Sequence, residues 1–216
     1  MSHGINYYEV ASFYLDFHCE EIAAKALKKY PRDSYKLCNK FDILNAREAC
    51  HKGIIEPFLQ NLFDSQLKNC QTDYFDYYLI QAMDRNVIKY LKDYPIYDFF
   101  KKKKEEGLIK NFGFSFHDDH TTLKYFLDNY EWDCCQIHLN YYTWYLGEGK
   151  LLYNELKSRN MPMFIMGPLH GGRLINGHPQ QIRDFFPMNY LIHLGMHFLQ
   201  TLSGVDMILT GANELS

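Results

Sequence analysis

The sequence predicts an α/β fold, a parallel sheet covered on both faces by helices, and three observations carry that prediction. Seven short apolar runs alternate with longer stretches whose apolar residues recur at helical spacing, over a chain of 216 residues. The apolar runs hold β-branched and aromatic residues on both parities, as strands buried on both faces do. No linker separates the repeats, so residues 1–216 read as a single domain of β-α units.

The elements follow in order. INYYEVA (5–11) reads as a strand. HCEEIAAKALKKY (18–30) reads as a helix, with acids in its first turn and lysines in its last, as the helix dipole favours. SYKLCNK (34–40) is a second strand, and residues 46–69 have helical spacing. YFDYYLIQ (74–81) is a third strand, followed by a helix over 84–106 that stops at Gly107, where a capping glycine belongs. NFGFSFH (111–117), DCCQIHLNY (133–141), MPMFIMGPL (161–169) and GVDMILTGA (204–212) complete the strands. Helices are expected between them over 118–130, 148–158, 179–185 and 188–202.

Two architectures satisfy this alternation, an open doubly wound sheet and a closed (β/α)8 barrel of the TIM type. The open sheet usually carries a glycine-rich phosphate loop after an early strand. None is present, which favours the barrel.

Composition narrows the function. Net charge is −3, with 23 basic and 26 acidic side chains, so nothing marks a nucleic-acid partner or an anionic membrane surface. The basic run KKKKEE (101–106) is closed at once by acids and reads as a solvated helix end. No apolar stretch is long enough to span a bilayer and the N-terminus lacks a signal-peptide pattern, so a cytoplasmic location is expected. The six cysteines show no C-x-x-C spacing, which favours reduced structural thiols over zinc or an iron–sulfur cluster.

In a (β/α)8 barrel the chemistry sits at the C-terminal strand ends. Those ends hold Glu9, Lys40, Gln81, Ser115 with His117, Gln136 with Asn140, and the GPLHGGR loop from Gly167 to Arg173. An apolar strand that ends in lysine demands an acidic partner, and Glu9 supplies one. Tyr14 follows five residues after Glu9. A phenol titrates near about 10, and a neighbouring ammonium favours its phenolate. Tyr14, Lys40 and Glu9 together therefore suit general-acid delivery of a proton to a carbonyl being reduced by a cofactor's hydride. The competing reading is packing, since the chain has 18 tyrosines.

The stretches INYYEVASFY, ALKKYPRDSYKLCNK, DYFDYYLIQAMD, EEGLIKNFGFSFHDD, DCCQIHLNYY, GPLHGGRL and LTGAN resemble the aldo-keto reductases. The similarity is to the bacterial branch that often carries a C-terminal ferredoxin-like iron–sulfur module. It implies a (β/α)8 barrel that binds NADPH or NADH in extended form, without a Rossmann fold, and reduces a small-molecule aldehyde or ketone. It places Tyr14 on the family's proton donor and Lys40 on its lysine. Glu9 falls where aspartate is usual, and Gln81 where histidine is usual. Ser115 and Gln136 fall on residues that hold the nicotinamide carboxamide, and Gly167 and Arg173 lie in the cofactor-side loop. No iron–sulfur cluster is expected within this chain.

Two features cut against activity and motivate an alternative, a non-catalytic relative that at most binds nucleotide. Glutamate at 9 adds a methylene, and glutamine at 81 cannot exchange a proton near neutrality as histidine does. The family pattern also has a β-α unit before GINYYEVA and further segments after TGANELS, so an incomplete barrel is expected, with self-association through its open edges. A metal-dependent hydrolase is the distant third reading. HDDH (117–120) supplies candidate ligands, but Asp118 or Asp119 is better placed as a helix N-cap. His193 and His197 have zinc-hydrolase spacing, yet Leu194 occupies the place of the glutamate, which favours packing or surface roles.

Overall fold

The computed structural model describes residues 4–177, 181, 184, 186 and 188–211. The chain divides into two compact units, Met1–Ser115 and Phe116–Ser216.

In the first unit, β1 (Tyr7–Glu9), β2 (Lys36–Asp42), β3 (Phe75–Met83) and β4 (Ile109–Phe116) lie in the sheet in chain order. β1 runs parallel to β2, and β2 to β3. Helix α1 (Cys19–Leu27) links the first two strands, with Glu20 and Glu21 in its first turn as expected. The helix expected over 46–69 is divided into α2 (Arg47–His51) and α3 (Ile55–Cys70). Gly53 makes the break at φ 68°, a backbone conformation that glycine adopts without strain. The helix expected over 84–106 is likewise two, α4 (Ile88–Asp93) and α5 (Ile96–Glu105). Pro95 lacks an N–H and forces Tyr94 into an extended conformation, which ends α4. Gly107, at φ 80°, closes α5 through its N–H to the Lys104 carbonyl at 2.9 Å.

Register sorts the side chains of this unit by face. Cys38 pairs with Tyr77, Asn39 with Tyr78, Lys40 with Leu79 and Phe41 with Ile80. Asn39, Phe41, Tyr78 and Ile80 therefore share one face, and Cys38, Lys40, Leu79 and Gln81 the other. The first face meets α3 and α5 in an aromatic core. Phe63 lies 5.4 Å from Tyr78, Tyr78 lies 4.8 Å from Phe100, and Phe100 lies 5.1 Å from Phe41, ring centre to ring centre. All four rings are inaccessible to solvent, which makes this the main apolar anchor of the strands that carry Lys40 and Gln81.

In the second unit α6 (His120–Asn129) precedes β5 (Cys134–His138), α7 (Tyr141–Leu146), α8 (Gly149–Ser158) and β6 (Met163–Met166). The short α9 (Arg173–Asn176), α10 (Met188–Gln200) and β7 (Val205–Ile208) follow. β5 and β6 are parallel, as are β6 and β7, with a register shift at Met163/Phe164. Asp119 caps α6, accepting from the Thr122 N–H at 2.9 Å, as its sequence position predicts. Helix α7 was not anticipated. Asn140 starts it with a capping box, its side chain accepting from the Thr143 N–H while the Thr143 hydroxyl pairs with the Asn140 N–H. The helix expected over 179–185 falls largely on residues outside those described, and the strand expected over 204–212 is shorter than expected, ending at Ile208. No described helix is long and apolar enough to cross a membrane.

Candidate active site

Sheet register alone brings Glu9 to Lys40. Glu9 pairs with Cys38, and Lys40 sits two residues further along β2 on the same face. Glu9 Oε1 lies 2.6 Å from Lys40 Nζ. The extra methylene of glutamate is accommodated without carrying the carboxylate past the ammonium. Tyr7, two residues earlier on β1, points its hydroxyl at Glu9 Oε2 from 3.5 Å.

Tyr14 arrives by a turn. Its N–H bonds to the Ala11 carbonyl, and Leu15, Asp16 and Phe17 then take left-handed conformations at φ 51°, 51° and 69°. Such residues cost roughly 1–2 kcal/mol each outside glycine. The turn closes into α1 through the Cys19 N–H to the Tyr14 carbonyl at 3.2 Å. Tyr14 Oη thereby stands 3.1 Å from Lys40 Nζ, so one ammonium bridges carboxylate and phenol.

The Lys40 side chain is 3% exposed and that of Glu9 17%. Burial pulls the Lys40 ammonium toward a lower pKa, but the Glu9 carboxylate, followed by Tyr14 and Cys38, outweighs it and leaves the pKa above the ordinary lysine value. Lys40 therefore remains charged across the neutral range.

Beneath Lys40 lies a buried polar network that the sequence reading missed. Gln66 on α3 donates to the Lys40 carbonyl at 2.9 Å and accepts from the Tyr78 hydroxyl at 2.6 Å. Asn39 accepts from the Lys40 N–H at 2.8 Å and donates to Glu20 at 2.8 Å. Both peptide groups of the lysine are thus held by side chains. The available signal was Asn39 in the middle of an otherwise buried strand.

Gln81 and Ser115 occupy the strand ends beyond Lys40. Gln81 Oε1 is buried and accepts no hydrogen bond among the described residues. A half-turn of the amide exchanges that oxygen for an NH2 donor. Ser115 Oγ accepts from the Ala82 N–H at 3.0 Å, which leaves the hydroxyl proton to be donated.

In the second unit Gln136 is buried on β5, and Gly167 follows β6 at φ 63°. The Gly167 carbonyl accepts from Asn140 Nδ2 at 2.9 Å. A Cβ on Gly167 would run into the His138 ring. Gly167→Ala is therefore expected to destabilise the chain by about 1–3 kcal/mol in urea unfolding, from left-handed strain and overpacking. Adding His138→Ala should recover the overpacking part but not the backbone part. His138 and His170, also missed from the sequence, lie 5.2 Å apart, and burial followed by the neighbouring His170 lowers the His138 pKa. Arg173 is exposed at the start of α9 and makes no ion pair among the described residues.

The metal candidates are dispersed. Asp119 is occupied as a cap, and His120 Nε2 pairs with Glu155 at 3.0 Å. His193 and His197 are exposed on α10. Among the described residues no three His, Cys, Asp or Glu side chains form a group that could hold a metal ion.

Residues 1–189 match the family model described as the aldo/keto reductase family. The chain belongs to that family. Solved aldo-keto reductases share the fold. One from Klebsiella pneumoniae, in complex with NADPH, is 21% identical, with TM-score 0.70 over 98% of this chain and 72% of that one. A thermostable aldo-keto reductase solved with the inhibitor epalrestat gives TM-score 0.72 at 18% identity, covering 98% and 74%. The apo form of an aldo-keto reductase from Bacillus halodurans gives 0.70 at 19%, covering 99% and 73%. No curated protein matches the sequence. The alternating strands and helices are thus those of a (β/α)8 aldo-keto reductase barrel, of which this chain spans part.

Proposed function

We propose that the chain is an NADP-dependent oxidoreductase that reduces an aldehyde or ketone to the alcohol, with Tyr14 as proton donor. The observation that carries this reading is the bridge from Glu9 through Lys40 to Tyr14, at 2.6 and 3.1 Å. The choice of NADP rests on family membership and on the NADPH-bound relative from Klebsiella pneumoniae.

The residues present fit a nicotinamide carboxamide, which both donates and accepts hydrogen bonds. Ser115, whose Oγ already accepts from the Ala82 N–H, offers its hydroxyl proton to the carboxamide oxygen. Gln136, Gly167 and Arg173 are assigned as further cofactor contacts. A reduced nicotinamide, when bound, supplies hydride to the carbonyl carbon. Tyr14 Oη donates its proton to the carbonyl oxygen, and the Lys40 ammonium stabilises the negative charge left on Oη. Glu9 fixes the ammonium in place, and Gln81, turned to present its NH2, orients the carbonyl without giving up a proton.

Gln81 is also the observation that favours the second reading, a non-catalytic nucleotide binder. Titration with NADPH, followed by quenching of Trp132 and Trp144 fluorescence, and then addition of a panel of aldehydes and ketones separates the two. Saturable quenching with carbonyl-dependent loss of NADPH absorbance is expected. Quenching without NADPH consumption selects the second reading, and a folded chain that shows neither removes both.

A further inference from the structure

A cleft of about 520 Å³ in the first unit is lined by Arg47, Asp84, Arg85, Asn86, Lys89 and Tyr90, among others. Arg47 opens α2, which follows β2, and Asp84 to Lys89 lead from β3 into α4. The cleft is therefore built from the segments that leave the strand ends carrying Lys40 and Gln81.

Its charges are arranged around one ring. Tyr90 is 5% exposed, with Arg47 Cζ 5.9 Å and Lys89 Nζ 5.0 Å from its centre. Two cations from different elements converge there, and neither makes an ion pair among the described residues. Arg85 adds a third positive charge to the lining. Among the described lining residues the carboxylate is Asp84, which is held by the turn. It accepts from the Asn86 N–H at 2.8 Å, the Asn86 side-chain amide at 2.9 Å and the Val87 N–H at 3.2 Å. Arg47 and Lys89, with no ion-pair partner among the described residues, favour an anion between them, and a guanidinium presents a planar fork that matches carboxylate and phosphate oxygens.

We propose that this cleft binds an oxyanion of the substrate, so that the preferred substrates are carbonyl compounds bearing a second, anionic group, a carboxylate or a phosphate ester. The proposal rests on the reductase reading above. Arg47 and Lys89 grip the anion, and the strand ends between α2 and α4 direct the rest of the molecule toward Tyr14 and Lys40.

Calorimetry on the full chain tests this without requiring turnover. The probes are γ-hydroxybutyrate, hydroxybutyl phosphate and uncharged butanediol, each titrated into the wild type and into an Arg47→Gln/Lys89→Gln variant whose melting curve is checked against the wild type. At least one anion should bind while butanediol does not, and added salt should weaken that binding. The variant should lose about tenfold or more in affinity for that anion. Tighter binding of the acid or of the phosphate identifies the oxyanion class. Equal binding of butanediol, no binding of either anion, or unchanged anion affinity in the variant overturns the proposal. An anion that binds as expected to a chain that consumes no NADPH with any carbonyl instead removes the reductase reading, so the two failures are distinct.

Discussion

Tyr14→Phe is expected to lower carbonyl reduction by about 10²–10⁴-fold, the range over which a positioned general acid contributes. The substitution deletes one oxygen and little else. The Tyr14 ring packs edge-on against Phe13 at 4.9 Å, a contact that phenylalanine keeps. The Lys40 ammonium retains Glu9 at 2.6 Å, so no buried charge loses its main partner. Stability should therefore change by less than about 1 kcal/mol, the scale of one hydrogen bond. NADPH affinity, read by fluorescence quenching, should be unchanged. The loss should fall on kcat and on kcat/KM alike, because the proton is needed only in the transition state. A variant that retains activity to within a few-fold would place the proton donor elsewhere in the chain.

How much of this site was legible depends on what kind of signal each residue leaves. Glu9 and Lys40 were visible because a charge at the end of an apolar strand is costly and therefore conspicuous, and period-two alternation puts both on one face. Tyr14 left no such mark. Its position depends on the left-handed turn at Leu15 to Phe17, where Leu15 and Phe17 carry no propensity for it, so the sequence put Tyr14 forward only beside Glu9 and Lys40, with packing as the competing reading, until the resemblance to known reductases singled it out. Asn39 and Gln66 were hidden for another reason. A polar residue on a helix or strand face becomes informative only once register shows what it faces. The strands were found in order because their β-branched and aromatic runs are strong, whereas the two long helices were drawn too long. Gly53 and Pro95 were both in view, but apolar periodicity continued across them and masked the breaks.

The second large effect is expected at Lys40. Lys40→Met keeps a chain of similar length and removes the charge, leaving the Glu9 carboxylate without its cation in a largely enclosed position. Removing one member of a buried ion pair costs about 3–5 kcal/mol. Glu9 keeps some access to water, so a loss near the lower end, about 3 kcal/mol in urea unfolding at neutral pH, is expected. The pH dependence gives the sign. Burial lowers the Lys40 pKa, the Glu9 carboxylate and its neighbours more than restore it, and the folded value ends above that of the unfolded chain. A group raised on folding contributes stability that is fully present below its unfolded pKa and is lost as pH climbs through the folded value. The stability difference between wild type and Lys40→Met should therefore be constant through the neutral range and shrink only in strongly alkaline solution. Taking that difference cancels the ionisation of the other lysines and tyrosines, which the two proteins share. A gap that closed below neutrality instead would mean that protonation of the carboxylate governs the pair. Activity should fall with the charge even where the variant stays folded, because the phenol then loses the cation that supports its negative charge after proton transfer. Lys40→Arg separates the two roles. It restores a cation but not the compact ammonium that reaches Glu9 and Tyr14 together, so it should regain more stability than activity.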